Sequence, residues 1–226
     1  MPHRQNIEVS MPLQAEFLPV ATGCVEQSVQ VFGLGRSEAM HLTLAVEEVY
    51  SFLAARTATS QRLKLLCRNG GYYAEVSCRF PLHALPVGAF NITSAVSSED
   101  EQSLSEMGLL LAARTVDQLG IFAENNEMQI HFVKNKKYPR VREKLSDFVL
   151  KGSVREAEPE AERLKQFACR VSSKYESQAP SFFNFPGKVA DMVGCGEYGA
   201  VLLVDGKNNV CAGMFWRRGH KLAEAF

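Results

Sequence analysis

The stretch that decides the fold is residues 42–53, LTLAVEEVYSFL, taken together with residues 107–119, MGLLLAARTVDQL. Apolar residues recur at helical spacing in the first stretch, and Glu48 lies on their stripe, four residues from both Leu44 and Phe52. A carboxylate on the buried side of a helix costs free energy unless a partner or solvent satisfies it. Two interpretations follow: Glu48 reaches solvent from the edge of the stripe, or it lines a pocket.

The composition is that of an ordinary soluble protein, with 46% apolar and 22% charged residues among 226. Basic and acidic residues balance at 25 each, so no general attraction to nucleic acid or to an anionic membrane is expected. The six cysteines form no C-x-x-C pair, which favours reduced thiols over disulfides or a zinc site. The first residues are polar and lead into no long apolar run. We therefore expect a cytoplasmic protein without a signal peptide or a membrane span.

Periodicity and turn chemistry predict the elements of the first half of the chain. The expected helices lie at about 13–32, 38–56 and 104–119. The expected strands lie at 7–11, 63–67, 72–78 and 128–133. The two central strands flank Asn69-Gly70, which is typical of a tight hairpin turn. Residues 84–103 show no periodicity and contain a Ser- and acid-rich run, so they are predicted to be a mobile loop.

A second pattern begins near residue 154. It predicts a short strand, a helix with Leu164 and Phe167 on one face, a short helix at 189–193, and a hairpin of residues 200–206 and 210–216. These elements give a first domain at 5–137, a linker at 138–153 and a second module at 154–226.

The first domain resembles the GHKL, or histidine kinase-like, ATPases, and most closely the small serine kinases that act as anti-sigma factors in bacteria. Residues 42–53, the helix through Asp117 and the strand ending at Lys134 carry the resemblance, which covers about residues 5–137. It implies an α+β fold. The expected architecture is a two-layer α/β sandwich, the Bergerat-type ATPase fold, whose mixed sheet is covered on one face by three helices.

The first family motif, E-x-x-x-N, is changed at its second position. In the family the Glu orients or activates the attacking group and the Asn supplies an oxygen to magnesium. Glu48 matches the Glu and is the only candidate base, whereas Phe52 stands at the Asn position. A phenylalanine has no oxygen for a hard cation, so the resemblance implies no metal site here.

The other two motifs are also altered. D-x-G, which binds adenine in the family, is replaced by Cys78 and Phe80. G-x-G-L, which holds phosphate at a helix start, keeps Gly108 and Leu109 but places Glu106 at its first glycine. Gly108 could be a remnant of the phosphate site or a helix-start glycine kept for backbone reasons. The predicted remnant of the ATP pocket consists of Glu48, Gly108 and Leu109, with Phe52, Cys78 and Phe80.

The second module resembles the first part of GNAT-type N-acyltransferases, which implies a partial GNAT-like α/β module. In that family the pyrophosphate of acetyl-CoA lies on an R/Q-x-x-G-x-G/A loop after the fourth strand. The chain ends at Phe226, where the fourth strand is expected to begin, and no such loop follows the hairpin. We therefore expect no acetyl-CoA binding. The third strand, at 210–216, would leave an apolar edge that we expect to be covered.

Together these patterns predict a bacterial signalling protein, a pseudoenzyme that acts by binding a protein partner such as a sigma factor or an anti-sigma antagonist. The resemblance also implies a homodimer. No cofactor and no nucleic acid partner are expected. One alternative is an active serine kinase or ATPase that uses ATP with magnesium and keeps Glu48 as its base. Another is a small-molecule sensor in which Phe52 and Phe80 line the former ATP pocket.

Overall fold

A computed structural model describes residues 5–56, 60–81, 101–141, 149–219 and 223–225 of the chain. The described residues form two compact units that divide between Lys136 and Lys137. The first unit contains β1 (Asn6–Pro12), α1 (Leu18–Val31), α2 (Arg36–Arg56), β2 (Arg62–Asn69), β3 (Tyr73–Pro81), α3 (Glu101–Thr115), β4 (Gln118–Glu124) and β5 (Glu127–Asn135). The second contains β6 (Arg155–Ala157), α4 (Ala161–Tyr175), α5 (Pro186–Gly194), β7 (Tyr198–Val204), β8 (Val210–Arg218) and β9 (Ala223–Ala225).

The sheet of the first unit has five strands in the order β1-β2-β3-β5-β4, and every neighbouring pair is antiparallel. The sequence led us to expect a mixed sheet, which is wrong. The physical reason is the number of chain reversals. Two helices separate β1 from β2, so the chain turns back three times and returns antiparallel to its first strand. The remaining strands are joined by hairpins or by the single helix α3.

All three helices of the first unit pack on one face of this sheet. Alternate residues of β3, namely Ala74, Val76, Cys78 and Phe80, join apolar residues of α1, α2 and α3 in one hydrophobic core. The period of two in the strand and the helical stripes of the helices therefore meet at one interface. This confirms the predicted two-layer α/β sandwich and the α+β class.

Turn chemistry explains one correct prediction and one omission. The β2–β3 hairpin forms as expected, with the Asn69 side chain accepting a hydrogen bond from the Gly71 amide at 2.9 Å. The sequence interpretation missed β4, because it extended α3 to residue 119. α3 instead ends at Thr115, and β4 and β5 meet at Asn125 and Asn126, whose φ angles are 52° and 62°. Asparagine tolerates this left-handed conformation, so the dipeptide was a readable hairpin signal.

Two predicted segments lie wholly or partly outside the described residues. Most of the predicted mobile loop at 84–103 lies outside the described residues, and its last three residues belong to α3. Residues 142–148 of the predicted linker also lie outside them.

The second unit has a four-stranded antiparallel sheet in the order β6-β7-β8-β9. Its core contains the rings of Phe167, Phe183 and Phe215, with Phe167 and Phe183 in edge-to-face contact at 5.8 Å. We expected a sheet of three strands, which is wrong because β9 pairs with Trp216–Arg218 at the end of β8. The rest of that edge, residues 210–215, has no strand partner within the described residues.

Candidate functional site

The structure brings two of the predicted pocket residues together. Glu48 lies half-buried on α2, and its carboxylate rests so close to the backbone of Gly108 on α3 that a Cβ atom at Gly108 would collide with it. Burial raises the pKa of the Glu48 carboxyl, and the neighbouring charge of Glu47 raises it further. A raised pKa makes a carboxylate a better proton acceptor, so Glu48 retains the property that the kinase alternative requires.

Phe52 lies one turn beyond Glu48 on α2 and is 4% exposed within the hydrophobic core. The guanidinium carbon of Arg56 lies 3.9 Å from the centroid of its ring, a cation–π arrangement. The ring has no lone pair to offer a magnesium ion. Phe52 therefore secures α2 against the core at the position where the resemblance would place a metal ligand.

The two residues at the adenine motif lie on the helix-facing side of β3. Cys78 is 0% exposed and Phe80 is 1% exposed. Burial raises the pKa of the Cys78 thiol, and the nearby Cys67 raises it further, so the thiol stays neutral at physiological pH. A neutral buried thiol is a weak hydrogen-bond acceptor and does not replace the carboxylate that binds an adenine amino group.

Gly108 and Leu109 are placed differently from the expected helix start. α3 begins at Glu101, so Gly108 is the eighth residue of the helix. An amide at that depth bonds to the carbonyl four residues before it and is not one of the free amides of the first turn. Leu109 is buried in the core. The backbone that would hold phosphate in the family is therefore occupied by regular helix.

The remnant pocket residues thus divide into two groups. Phe52, Cys78, Phe80 and Leu109 belong to one hydrophobic core, and none of their side chains carries a charge. Glu48 is the single carboxylate among the predicted site residues, and it faces Gly108. Chemically, this arrangement packs two helices on a sheet and places one carboxyl of raised pKa between them, and the other predicted site residues offer apolar side chains rather than polar groups for a triphosphate.

The sequence analysis missed a polar junction at the C-terminal end of α3. The Lys134 ammonium donates hydrogen bonds to the Thr115 carbonyl at 2.7 Å and to the Asp117 carboxylate at 2.8 Å. The backbone and side-chain amides of Asn135 donate to the same carboxylate at 2.8 and 2.9 Å. Burial raises the pKa of Asp117, but these hydrogen bonds outweigh it and hold the pKa below its ordinary value. The junction ties the helix to the end of β5.

A second polar group covers the opposite face of the sheet. Glu75 accepts hydrogen bonds from Arg68 at 3.3 Å and from Ser77 at 3.4 Å, and its carboxylate lies 2.6 Å from His131 Nδ1. The hydrogen bond to His131 is the main reason why the pKa of Glu75 is lowered. The sequence of β3 contained a sign of this polar group, because Glu75 and Ser77 alternate with the apolar residues that face the helices.

The geometry of this polar group excludes a serine-hydrolase triad. Ser77 Oγ lies 3.1 Å from the Nδ1 atom of His131, the same ring nitrogen that faces Glu75. A triad requires the acid and the hydroxyl on opposite nitrogens, so that the ring can pass a proton between them. The group is therefore a hydrogen-bonded patch that stabilises the outer face of the sheet.

The second unit is stabilised by contacts of its own chain segments. The Tyr138 hydroxyl donates to the Asp191 carboxylate at 2.5 Å, and the Val141 amide donates to the Asn184 carbonyl at 2.9 Å. Tyr198 stacks on Phe215 with their centroids 5.0 Å apart. The start of α4 is surrounded by negative charge from Glu158, Glu160 and Glu162. Two of these carboxylates take part in ion pairs, Glu160 with Arg163 at 3.4 Å and Glu162 with Lys165 at 2.7 Å, so this helix start is acidic but partly compensated.

Two further observations concern other kinds of site. Within the described residues, no three His, Cys, Asp or Glu side chains lie close enough together to hold a metal ion. No helix in the described part of the chain is long and apolar enough to cross a membrane.

Comparison with solved structures yields partial likenesses, one of which is described here. No family model matches the chain, and no curated protein matches it. The crystal structure of the RsbU and RsbW domains of Rv1364c from Mycobacterium tuberculosis aligns over 60% of this chain at 8% identity, with a TM-score of 0.41. The alignment covers 33% of that chain, about a third of its length. A likeness this low adds no support, so the sandwich architecture is assigned from the strand order and the core of the first unit itself.

Proposed function

We propose that the first unit is a regulatory protein-binding module related to the anti-sigma-factor serine kinases, without catalytic turnover of ATP. The observation that carries this proposal is the burial of Phe52, Cys78 and Phe80 in the core at the positions of the metal and adenine motifs. Each side chain contributes apolar packing where a nucleotide would need a polar partner.

The course of α3 supports the same conclusion about phosphate. Binding at a helix start depends on amides that lack an intrahelical acceptor. Gly108 lies well inside α3, beyond that first turn. The course of α3 and the buried ring of Phe52 thus support the proposal that the described residues hold neither phosphate nor metal in the manner of the family.

Protein binding is favoured by the exposed side of α3. Met107 and Leu111 lie one helical turn apart, and they are 42% and 48% exposed. Exposed apolar side chains next to a modified ligand site suit contact with another protein. By resemblance the partner would be a sigma factor or an antagonist of an anti-sigma factor, in the cytoplasm of a bacterium.

The kinase alternative is favoured by one observation, the raised pKa of Glu48. Under this alternative Glu48 would accept the proton of an attacking hydroxyl, with ATP and magnesium bound nearby. The sensor alternative needs Phe52 and Phe80 at the wall of a pocket. Both rings are instead nine-tenths or more buried in the core, which favours packing over ligand binding.

The test is the melting temperature of the full chain with magnesium alone and with magnesium plus ATP. A ligand at one hundred times its dissociation constant stabilises a protein by about 2.7 kcal/mol, a clearly measurable shift. We expect no shift at millimolar ATP. The kinase alternative predicts two different results. Magnesium with ATP would raise the melting temperature of both the parent and Glu48→Gln, and phosphate transfer would occur in the parent but not in Glu48→Gln.

For the second unit, we propose a GNAT-like structural module that does not bind acetyl-CoA. The support is the acidic start of α4, where Glu160 and Glu162 already pair with Arg163 and Lys165 and leave no free cation of these pairs for a pyrophosphate. Isothermal titration of the full chain with acetyl-CoA should give no heat of binding, and saturable binding would contradict the proposal.

A further inference from the structure

The strand β4 forms an open edge of the first sheet. It pairs with β5 on one side, and no described residue pairs with its other side. A row of unpaired backbone amides and carbonyls is a template for another strand. β4 contains no proline and no lysine, and its one charged residue, Glu124, stands at its end. The strand therefore lacks the features that usually prevent edge pairing.

The opposite edge of the same sheet is protected. β1 carries Glu8 near its middle and ends at Pro12. The guanidinium of Arg62 donates a hydrogen bond to the backbone carbonyl of Ser10 at 2.9 Å. Charge, proline and an occupied carbonyl all disfavour the addition of a strand to β1. The two edges differ, and β4 is the one suited to pairing.

Symmetry restricts how two copies of β4 can pair. Opposite residues in an antiparallel pair point to the same face, and the faces alternate along each strand. A two-fold axis perpendicular to the sheet therefore requires one residue to lie opposite its own copy. The register centred on Ile121 is the one that pairs all seven residues of Gln118–Glu124.

In that register the strand is complementary to itself. Leu119 lies opposite Ala123 of the second copy, and Gly120 lies opposite Phe122, so each large side chain meets a small one. Gln118 lies opposite Glu124, so an amide meets a carboxylate and no like charges face each other.

Phe122, near the centre of β4, is already positioned for contact with a second copy of the strand. Phe122 is 58% exposed, and its ring lies so close over Gly120 that a Cβ there would approach it to 2.8 Å. The edge of His131 supports it, with ring centroids 5.1 Å apart. In the paired register the two Phe122 residues are diagonal neighbours, a separation that aromatic rings can span.

We propose that β4 is the interface of a symmetric homodimer in which two five-stranded sheets join edge to edge across Ile121. This inference goes beyond the proposed function and assigns a surface to the homodimer that the resemblance implies. Pairing would cover the exposed ring of Phe122 and satisfy the backbone groups of the open edge.

The first test measures the dissociation constant of the full chain by sedimentation over a range of concentrations. Phe122→Lys places two like charges on diagonal positions and should weaken the dimer by roughly tenfold or more. Val20→Lys is the matched control, because Val20 is a 51% exposed apolar residue on α1. A monomer at every concentration, or a dimer that Phe122→Lys leaves unchanged, would overturn the proposal.

The second test determines the register. Gln118→Glu puts carboxylates opposite each other in two symmetric pairs and should weaken the dimer by roughly three- to thirtyfold. Adding Glu124→Lys to the same chain should restore it, because each pair then joins opposite charges. A double variant no tighter than Gln118→Glu alone would refute the register. Neither result bears on the ATP test, which is read from ligand-dependent melting of the parent chain.

Discussion

α3 contacts the rest of the first unit differently at its C-terminal end and at its middle. At its C-terminal end, the Thr115 carbonyl and the Asp117 carboxylate receive hydrogen bonds from Lys134, and Asn135 adds two more. Further toward the N-terminus, Gly108 faces one half-buried carboxylate and Leu109 enters the core. Polar hydrogen bonds join the helix to a strand at its C-terminal end, and apolar packing holds it at its middle.

This difference separates the features that build the sandwich from those that would serve a ligand. The C-terminal junction is satisfied entirely within the chain, so it needs no bound molecule. The substituted pocket positions are likewise satisfied without a ligand, because they bury apolar surface in the core. We therefore expect the architecture of this unit to be stable without a bound nucleotide, and variants at three positions test that contrast.

The largest expected effect is that of Phe52→Asn. The substitution removes a buried ring and places a polar amide in the core, so we expect a loss of about 3–5 kcal/mol in the free energy of unfolding. Urea unfolding of the full chain would measure it. Val31→Asn on α1, at a position 74% exposed, is the control and should change stability little. A variant as stable as its parent would mean that the ring does not contribute to the core.

Asp117→Ala tests the polar junction and should have an intermediate effect. It removes three hydrogen bonds to a partly exposed carboxylate, so we expect a loss of about 1–2 kcal/mol. The measurement is again urea unfolding, with Glu26→Ala on the exposed face of α1 as the control. Equal stabilities of the two variants would mean that the junction contributes nothing.

The same junction should give a definite pH dependence. The folded pKa of Asp117 lies below its unfolded value, so its stabilising contribution is complete above about pH 4–5 and is lost as the pH falls through the folded pKa. The stability difference between the parent and Asp117→Asn should therefore be constant near neutrality and shrink under acid conditions. A difference that grew on acidification would contradict the assignment.

The smallest effect concerns the contact between Gly108 and Glu48. Alanine is the better helix former by about 1 kcal/mol, but a methyl group at Gly108 would collide with the Glu48 carboxylate. We expect Gly108→Ala to be neutral or destabilising in the parent and stabilising by up to about 1 kcal/mol in a Glu48→Ala background. A double-mutant cycle gives the coupling. Identical effects in both backgrounds would show that the two residues do not interact.

The sequence was sufficient for the features that depend on local chemistry. Asn69 and Gly70 predicted a hairpin because their backbone preferences act within four residues, and the stripe from Leu44 to Phe52 predicted a buried helix face. The strand β4 was missed because its apolar residues continue the pattern of α3. Asn125 and Asn126 were the local sign that two strands meet there.

The candidate site was less predictable, because its geometry depends on contacts between distant residues. Lys134 and Asp117 are 17 residues apart, and Ser77 and His131 are 54 apart, so their bonds appear only when the strands are paired. Motif matching placed Gly108 at a helix start, but it could not give the first residue of α3. That residue, Glu101, depends on how the preceding segment folds.

The extended α3 also bears on how readily this protein could change its activity over evolutionary time. A side chain can be exchanged by a single substitution, as at Phe52 or Cys78. The amides near Gly108 are different, because they lie inside the helix and become available only if its first two turns unwind. A phosphate site at Gly108 would therefore require a new backbone conformation in addition to new side chains. Exchanging side chains alone leaves the present helix in place, so such a site is difficult for this fold to acquire.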